Sequence, residues 1–316
     1  PARQLCFGDK SWASSAARQE VAVARVEPLG AVEVWDLSVV EDQSYWSQGF
    51  LSHNCSDPNL QNIPRVTGDP DDRGALIRTM FVAPPGYKLI VADYDQIELR
   101  VLAHFSKDPV LLKVFNEGLD PHAMTAAMVL GIDIEEVTKD ERQKYGKTIN
   151  FASVYGAGAR RLGEQIGCSK GKAQKFLDKY QEEYAGVYDF SRQAVKVCRQ
   201  RKPHYVKTLM GRRRRVPDIM HPDNMVRWRA ERQTVNSIIQ GSAADLIKLA
   251  MVRLDDLLTD SPAQLVLSVH DELITLVSDE YVDETIELME EAMMIDALRV
   301  PLTVEAKAGQ SWAEAK

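Results

Sequence analysis

The stretch YKLIVADYD, residues 87–95, limits the fold of this chain more tightly than any other. Leu89 to Ala92 run without a polar break and end on Asp93. So short an apolar run fits a strand covered on both faces, a central strand of a sheet. A carboxylate at the end of such a strand needs a cation or several hydrogen bonds, because burying it unpaired is costly. QLVLSVHDELITLVS (264–278) reads as two more strands around a tight turn at His270-Asp271, and LTVEAKAG (302–309) as a last strand. The middle of the chain, from about His122 to Gln200, is helical in pattern. KTINFASVYGAGARRLGEQIG and KGKAQKFLDKYQEEYAGVYDFSRQAVKVCRQ both carry i, i+3, i+4 apolar spacing. QIELRVLAHFS, RWRAERQTVNSIIQGSAADLIKLAMVRLDDLL and YVDETIELMEEAMM add three more helices. Strands on both sides of a helical block predict an α+β domain, a sheet carrying a helical subdomain.

The N-terminal part differs in character. Residues 1–20 are small and polar without periodicity, and are expected to be loop or disordered. VAVARVEPLG, VEVWDLSVV and SYWSQGFLS then read as short β segments. After Cys55, SDPNLQNIPRVTGDPDDRG is turn-rich and irregular. The length of 316 residues suggests two or three domains. A chain beginning with Pro is expected to be a fragment or a processed product. No apolar run is long enough for a membrane span, so no membrane partner is expected. Cys6, Cys55, Cys168 and Cys198 show no CxxC spacing, which argues against a zinc site or a disulfide framework and for a reducing cytoplasm.

A formal net charge of -7 argues weakly against a nucleic-acid partner. Its distribution argues the other way. No acidic residue lies between Asp189 and Asp218, while Arg192, Lys196, Arg199, Arg201, Lys202, Lys207 and Arg212 to Arg215 all do. Such a stretch is either a solvated face or a phosphate-binding one.

The seam between the two parts reads His53-Asn54-Cys55. An Asn side chain can attack its own carbonyl carbon and cleave the following peptide bond. A preceding His can protonate the leaving amine, and a following Cys can accept an acyl group. As a bare tripeptide this is usually just a loop. The flanking WDLSV strand, the acidic turn at Glu41-Asp42, Tyr45 and Gly49-Phe50 make VEVWDLSVVEDQSYWSQGFLSHNC resemble the C-terminal splicing block of inteins, the Hint-fold protein-splicing elements. The resemblance implies that Asn54 ends the intein, His53 assists it, Cys55 opens the host protein and Asp36 is an assisting acid. Gln43 and Gln48 depart from the pattern. An N-terminal fragment carrying the rest of the intein and of the host protein is then an expected partner, joined in trans.

Downstream, Asp93 and Asp271 stand at a strand end and a hairpin turn, with Glu272 beside the second. Two carboxylates on adjacent strands could hold a pair of Mg²⁺ ions. Lys147, Phe151 and Tyr155 recur every four residues and line one helical stripe, either a core stripe or a charge and two rings for a nucleotide. In order, DPNLQNIP, DYDQIELR, KTINFASVYG, QGSAAD and VHDEL resemble the signatures of family A DNA polymerases, the bacterial polymerase I type.

That resemblance, covering Cys55 to Trp312, implies template-directed DNA synthesis with two Mg²⁺ ions, primer-template DNA and dNTP as partners. It assigns residues 55–105 to the first part of a palm, 106–230 to fingers and 231–316 to the second part of the palm, after an intein segment at 1–54. Asp93 and Asp271 would hold the metals, helped by the Tyr94 carbonyl with Glu272 nearby. His122 and Lys147 would contact the triphosphate, Lys147 also serving as acid. Phe151 would pack near the sugar and Tyr155 near the template base. Glu98 would exclude a ribose 2′-hydroxyl, and Gln96 belongs to the same nucleotide site. Arg232, Asn236 and Gln240 would touch primer-template, with His270 at the primer terminus. The expected location is the cytoplasm, at the nucleoid, or a host cytoplasm if the source is viral.

Two positions depart from the pattern. Gln143 stands where the family has an Arg four residues before the Lys, and Arg142 and Lys144 flank it. One residue turns a helix by about 100°, so neither neighbour faces the same way unless the helix start is distorted. Asp95 stands where a small residue is common. A non-catalytic nucleic-acid-binding remnant, and a chain active only in autoprocessing, are the competing readings. Glu98 and QGSAAD favour DNA over RNA synthesis.

Overall fold

The computed structural model describes residues 75–316, Ile63, and two short strands, β1 (Ser44–Ser47) and β2 (Phe50–His53). β1 and β2 pair antiparallel, so SYWSQGFLS, read as one segment, holds two strands. The segments expected as strands at 21–30 and 32–40, and the seam residues Asp36, Asn54 and Cys55, lie outside the described residues. For His53 only the backbone is described.

β3 (Tyr87–Tyr94) is followed by α1 (Ile97–Ser106), α2 (Pro109–Asn116), α3 (Pro121–Leu130) and a single turn, α4 (Lys139–Glu141). A π-helical turn over Arg142–Lys147 leads into α5 (Thr148–Val154). Then come α6 (Ala159–Ile166), α7 (Lys170–Glu183) and α8 (Ala185–Gln200). A small hairpin, β4 (Tyr205–Lys207) and β5 (Arg213–Arg215), precedes the long α9 (Asn224–Leu257). β6 (Gln264–Val269), β7 (Glu272–Ser278), α10 (Val282–Met293) and β8 (Val304–Gly309) close the chain.

The main sheet is antiparallel in the order β6-β7-β3-β8, with β3 inside it. Its apolar run is explained by burial on both faces. Ile90, Ala92 and Tyr94 join the larger core with Leu246, Leu254, Met289 and Met293 of α9 and α10. Leu89 and Val91 alternate to the other face and pack with Val269, Ile274 and Trp312. The Tyr94 hydroxyl donates to the Met293 carbonyl at 2.6 Å, tying the strand end to α10. Burial of each large apolar side chain here contributes roughly 1.5–3 kcal/mol.

Two segments expected as continuous helices are broken. Gly156, at φ 65°, and Gly158 separate α5 from α6, because a left-handed residue ends the helical path. Tyr184 separates α7 from α8; it is buried, with its ring centroid 4.5 Å from that of Tyr180. Asp108 braces the block: one oxygen caps α2 through Val110 and Leu111, and the other accepts from the Gly186 amide of α8 at 2.9 Å. α9 runs unbroken across the expected boundary at 230/231, about 51 Å at 1.5 Å per residue. Among the described residues no helix is long and apolar enough to cross a membrane.

Candidate active site

The register of β3 on β7 places Asp93 opposite Glu272, and the Tyr94 amide donates to the Asp271 carbonyl at 3.2 Å. Asp271 sits in the two-residue turn joining β6 to β7, preceded by His270 at φ 56°. A left-handed non-glycine residue is uncommon, and here it lets the hairpin reverse at the end of β3. Asp93 and Asp271, 178 positions apart in sequence, thus meet at one end of the sheet. Burial, and then the neighbouring Asp93 charge, push the Asp271 carboxyl up to about 7. Asp93 Oδ1 is buried without a hydrogen-bond partner, while Oδ2 accepts from Lys316 Nζ at 3.0 Å. An orphaned buried oxygen beside a carboxyl that burial and a like charge push up is a place for a cation, so this pair fits divalent metal. Among the described residues no group of three or more His, Cys, Asp and Glu side chains comes together as a metal site. The further ligand would therefore be a backbone oxygen, for which Tyr94 is the candidate, or substrate.

Glu272 has a different environment. It is 2% exposed, accepts from Trp312 Nε1 at 3.1 Å and from Lys316, and lies 3.7 Å from Arg78. The Arg78 guanidinium also stacks 4.2 Å from the Trp312 ring centroid. Its carboxylate is thus occupied by protein groups, which suits it to position β7 and Lys316. Sequence reasoning missed Arg78, Trp312 and Lys316 as neighbours of the site, because they come from both ends of the described chain. Asp95, an expected extra charge beside the pair, is engaged by Arg100 at 3.0 Å. Arg100 is buried and also donates to the Asp95 and Pro301 carbonyls and to Thr303, so Asp95 balances a buried cation.

The fingers-side residues converge on α5. The Phe151 and Tyr155 rings are nearly parallel, 5.9 Å apart at 7°, and His122 lies 5.9 Å from Phe151. The Tyr155 hydroxyl donates to Glu98 and accepts from Gln240 Nε2 at 3.4 Å, so α1, α5 and α9 share one hydrogen-bonded chain. Burial raises the Glu98 carboxyl, and the Tyr155 bond partly offsets this. A groove of about 640 Å³ runs along α5, lined by Gln143, Lys147, Thr148, Phe151, Tyr155 and Arg232 among others. Arg232 passes under Gly156, where a Cβ would come 2.9 Å from its Cδ. Asn236, one turn on from Arg232, has a buried Oδ1 without a partner, as does Gln96 at its Oε1. Gln96 is left-handed at φ 54° and caps α1 without a side-chain bond.

His122 is held neutral. Asn150 Nδ2 donates to the Pro121 carbonyl at 3.2 Å, and Asn150 Oδ1 accepts from Thr125 at 3.1 Å. That fixes the amide, so Nδ2 donates to His122 Nδ1 at 2.9 Å and the ring proton sits on Nε2. Burial, with Arg142 and Lys147 adding to it against Asp120, lowers His122 to about 4. The ring is a hydrogen-bond donor rather than a cation at neutral pH.

Two outcomes are expected. Asp271→Asn relieves like-charge repulsion, so without divalent metal it should be more stable than the parent by on the order of 1–3 kcal/mol in urea denaturation at pH 8. Mg²⁺ should then stabilise the parent and not the variant; equal stabilisation of both would exclude the pair as the metal site. For His122 the folded pKa lies below the unfolded value, so the unfolded chain binds the extra proton. Its contribution is present above pH 6.5 and is lost as pH falls towards 4, roughly 3 kcal/mol in all. An NMR titration should find the imidazole neutral to near pH 4, and a midpoint near 6.5 would contradict the buried network.

Residues 42–314 match the model of DNA polymerase family A. The DNA polymerase I of Pseudomonas aeruginosa is 43% identical over 280 residues, 86% of this chain and 29% of that protein. The thermostable DNA polymerase I of Thermus aquaticus is 42% identical over 276 residues, 87% of this chain and 32% of that one. The solved POL domain of Pol1 from M. smegmatis, in complex with DNA primer-template and dNTP, is 39% identical with a TM-score of 0.75, covering 84% of this chain and 46% of that one. The chain spans less than a third of the length of these two curated relatives. An antiparallel sheet with helices, two carboxylates meeting at one end of it and similarity over most of the described chain agree: this chain belongs to DNA polymerase family A.

Proposed function

We propose that this chain carries the nucleotidyl-transfer centre of a template-directed DNA polymerase, acting on primer-template DNA and dNTP. The observation that carries the proposal is the meeting of Asp93 and Asp271 at the sheet end beside the α5 groove. Asp93 and Asp271 would hold two Mg²⁺ ions with help from the Tyr94 carbonyl. When bound, those ions supply the charge that makes a primer 3′-hydroxyl acidic and stabilises the transferring phosphoryl group. Lys147 and the Nε2–H of His122 bind phosphate oxygens, and Lys147 offers the proton for the leaving pyrophosphate. Phe151 packs on the sugar and Tyr155 bounds the base. Glu98, fixed by the Tyr155 hydroxyl, closes the space a 2′-hydroxyl would need. Arg232, Asn236, Gln240 and His270 contact primer-template. The palm and fingers boundaries at 55–105, 106–230 and 231–316 belong to the same proposal.

Primer extension by the chain joined to its N-terminal partner should be abolished by Asp271→Asn, roughly 10³-fold or more when the metal-held transition-state charge is lost. Glu98→Ala should raise ribonucleotide incorporation at least about tenfold over the parent, the size expected for one lost steric contact. Equal ribonucleotide use by both would remove Glu98 from that role. Vigorous extension by the unjoined chain would remove the dependence on joining and leave binding-remnant and autoprocessing-only readings without support.

We infer in addition that His53, Asn54 and Cys55 form a protein-splicing junction with Asp36 assisting. The order of those side chains and the flanking pattern support this. The family match begins at residue 42, upstream of the seam, so polymerase similarity and splicing pattern overlap there. Mixing with the matching N-terminal fragment should release residues 1–54 and leave Cys55 at a new peptide bond. Intact mass spectra of both pieces after mixing would end the splicing reading.

A further inference from the structure

The turn Arg142–Lys147 has π-helical geometry, closing on residues five apart. The Thr148 hydroxyl donating to the Gln143 carbonyl, five residues back at 3.2 Å, reports the same register. In an α-helix, residues five apart diverge by about 140°. Arg142 opens the π turn on the side facing α3, while Gln143 and Lys147 both line the groove. The Arg142 Nε donates to Asp120 Oδ2, while Asp120 Oδ1 caps α3 by accepting from the amides of His122 at 2.7 Å and Ala123 at 3.2 Å. Gly146 permits this approach, since a Cβ there would lie 1.9 Å from the His122 carbonyl oxygen. Gln143 is exposed and lines the groove with Thr148 and Tyr155.

Only the Nε–H of Arg142 is used by Asp120. Its two terminal amino groups make no hydrogen bond among the described residues, and the side chain is 36% exposed. A guanidinium held at Nε and open at both Nη atoms is preset for bidentate contact with a tetrahedral anion. After burial, the charges of Arg142 and Lys147 are what hold His122 down, so both cations stand close to it.

We propose that Arg142, oriented by Asp120 at the start of the π turn, grips the terminal phosphate of an incoming nucleoside triphosphate beside Lys147 and His122. The contact that Gln143 cannot make is thereby moved one residue along the chain. This rests on the nucleotide-binding reading above, and the experiment separates the two.

Binding of dATP, dADP and dAMP to the chain is measured by calorimetry for the parent, Arg142→Ala, Arg142→Lys, Gln143→Ala and Lys147→Ala, with thermal melts of each. Arg142→Ala should weaken dATP about 10- to 100-fold, the loss expected for charged hydrogen bonds, and dAMP less than about threefold. Arg142→Lys should fall between Arg142→Ala and the parent and keep the fold, whereas Gln143→Ala should change dATP by less than about twofold. Triphosphate preference lost in Lys147→Ala but kept in both Arg142 variants would overturn the role of Arg142 and leave the nucleotide reading standing. Loss in Gln143→Ala equal to that in Arg142→Ala would overturn the assignment of the contact to Arg142. A parent without triphosphate preference, unchanged by Lys147→Ala, would overturn both.

Discussion

One strand register governs this site. Pairing of Asp93 with Glu272 across β3 and β7 fixes where the hairpin turn falls, and so where Asp271 stands. Slipping β7 by one residue would exchange the faces of its side chains and move its carboxylates off the end of β3. The register is protected by burial on both faces. Ile90 and Ala92 lock into the helix-backed core, while Leu89 and Val91 lock into the Trp312 core. Packing thus holds two acidic side chains together against their repulsion, and that repulsion is what a bound cation would relieve.

The surrounding charges divide the labour. Glu272 is satisfied by Trp312, Arg78 and Lys316, and Asp95 by Arg100. Both carboxylates are paired by protein groups, Glu272 in the interior and Asp95 at the surface. What remains short of partners is Asp93 Oδ1, with Asp271 pushed towards protonation. A buried acidic cluster would be destabilising as a whole, because each uncompensated charge costs several kcal/mol. Here Asp93 and Asp271 are left under-compensated, and the rest of the cluster holds them in place.

Much of this was legible in sequence, for physical reasons that can be named. The LIVA run ending on Asp93 could only be a doubly covered strand, and QLVLSVHDELITLVS carried its own turn. Tyr155 with Glu98 was recoverable from the family resemblance of the two motifs that carry them. The Glu272 cage was not, because Arg78, Trp312 and Lys316 carry no local periodicity and meet only through the tertiary fold. Helix continuity through Gly156 and Tyr184 was overestimated, since apolar spacing persists across a break that backbone conformation imposes. The π turn was also hidden. Its one sign was a glutamine in an awkward place and a glycine four residues after Arg142, and only the contact with His122 explains that glycine.

The same reasoning accounts for how the two halves of the site are joined. α1 leaves β3 shortly after the Asp93 carboxylate, and α5 ends at Tyr155 just before the left-handed Gly156. A single hydroxyl, that of Tyr155, bonds Glu98 on α1 and Gln240 on α9. Any rotation of α5 relative to the sheet must therefore break or carry that contact. A net hydrogen bond of this kind is worth about 1 kcal/mol, and more when one partner is charged. That is enough to bias a helix orientation and too little to lock it. The position of α5, which carries Phe151, is consequently tied through one hydroxyl to Glu98, so on the nucleotide-binding reading proposed above, occupancy of the groove and the position of α5 would be coupled through that side chain.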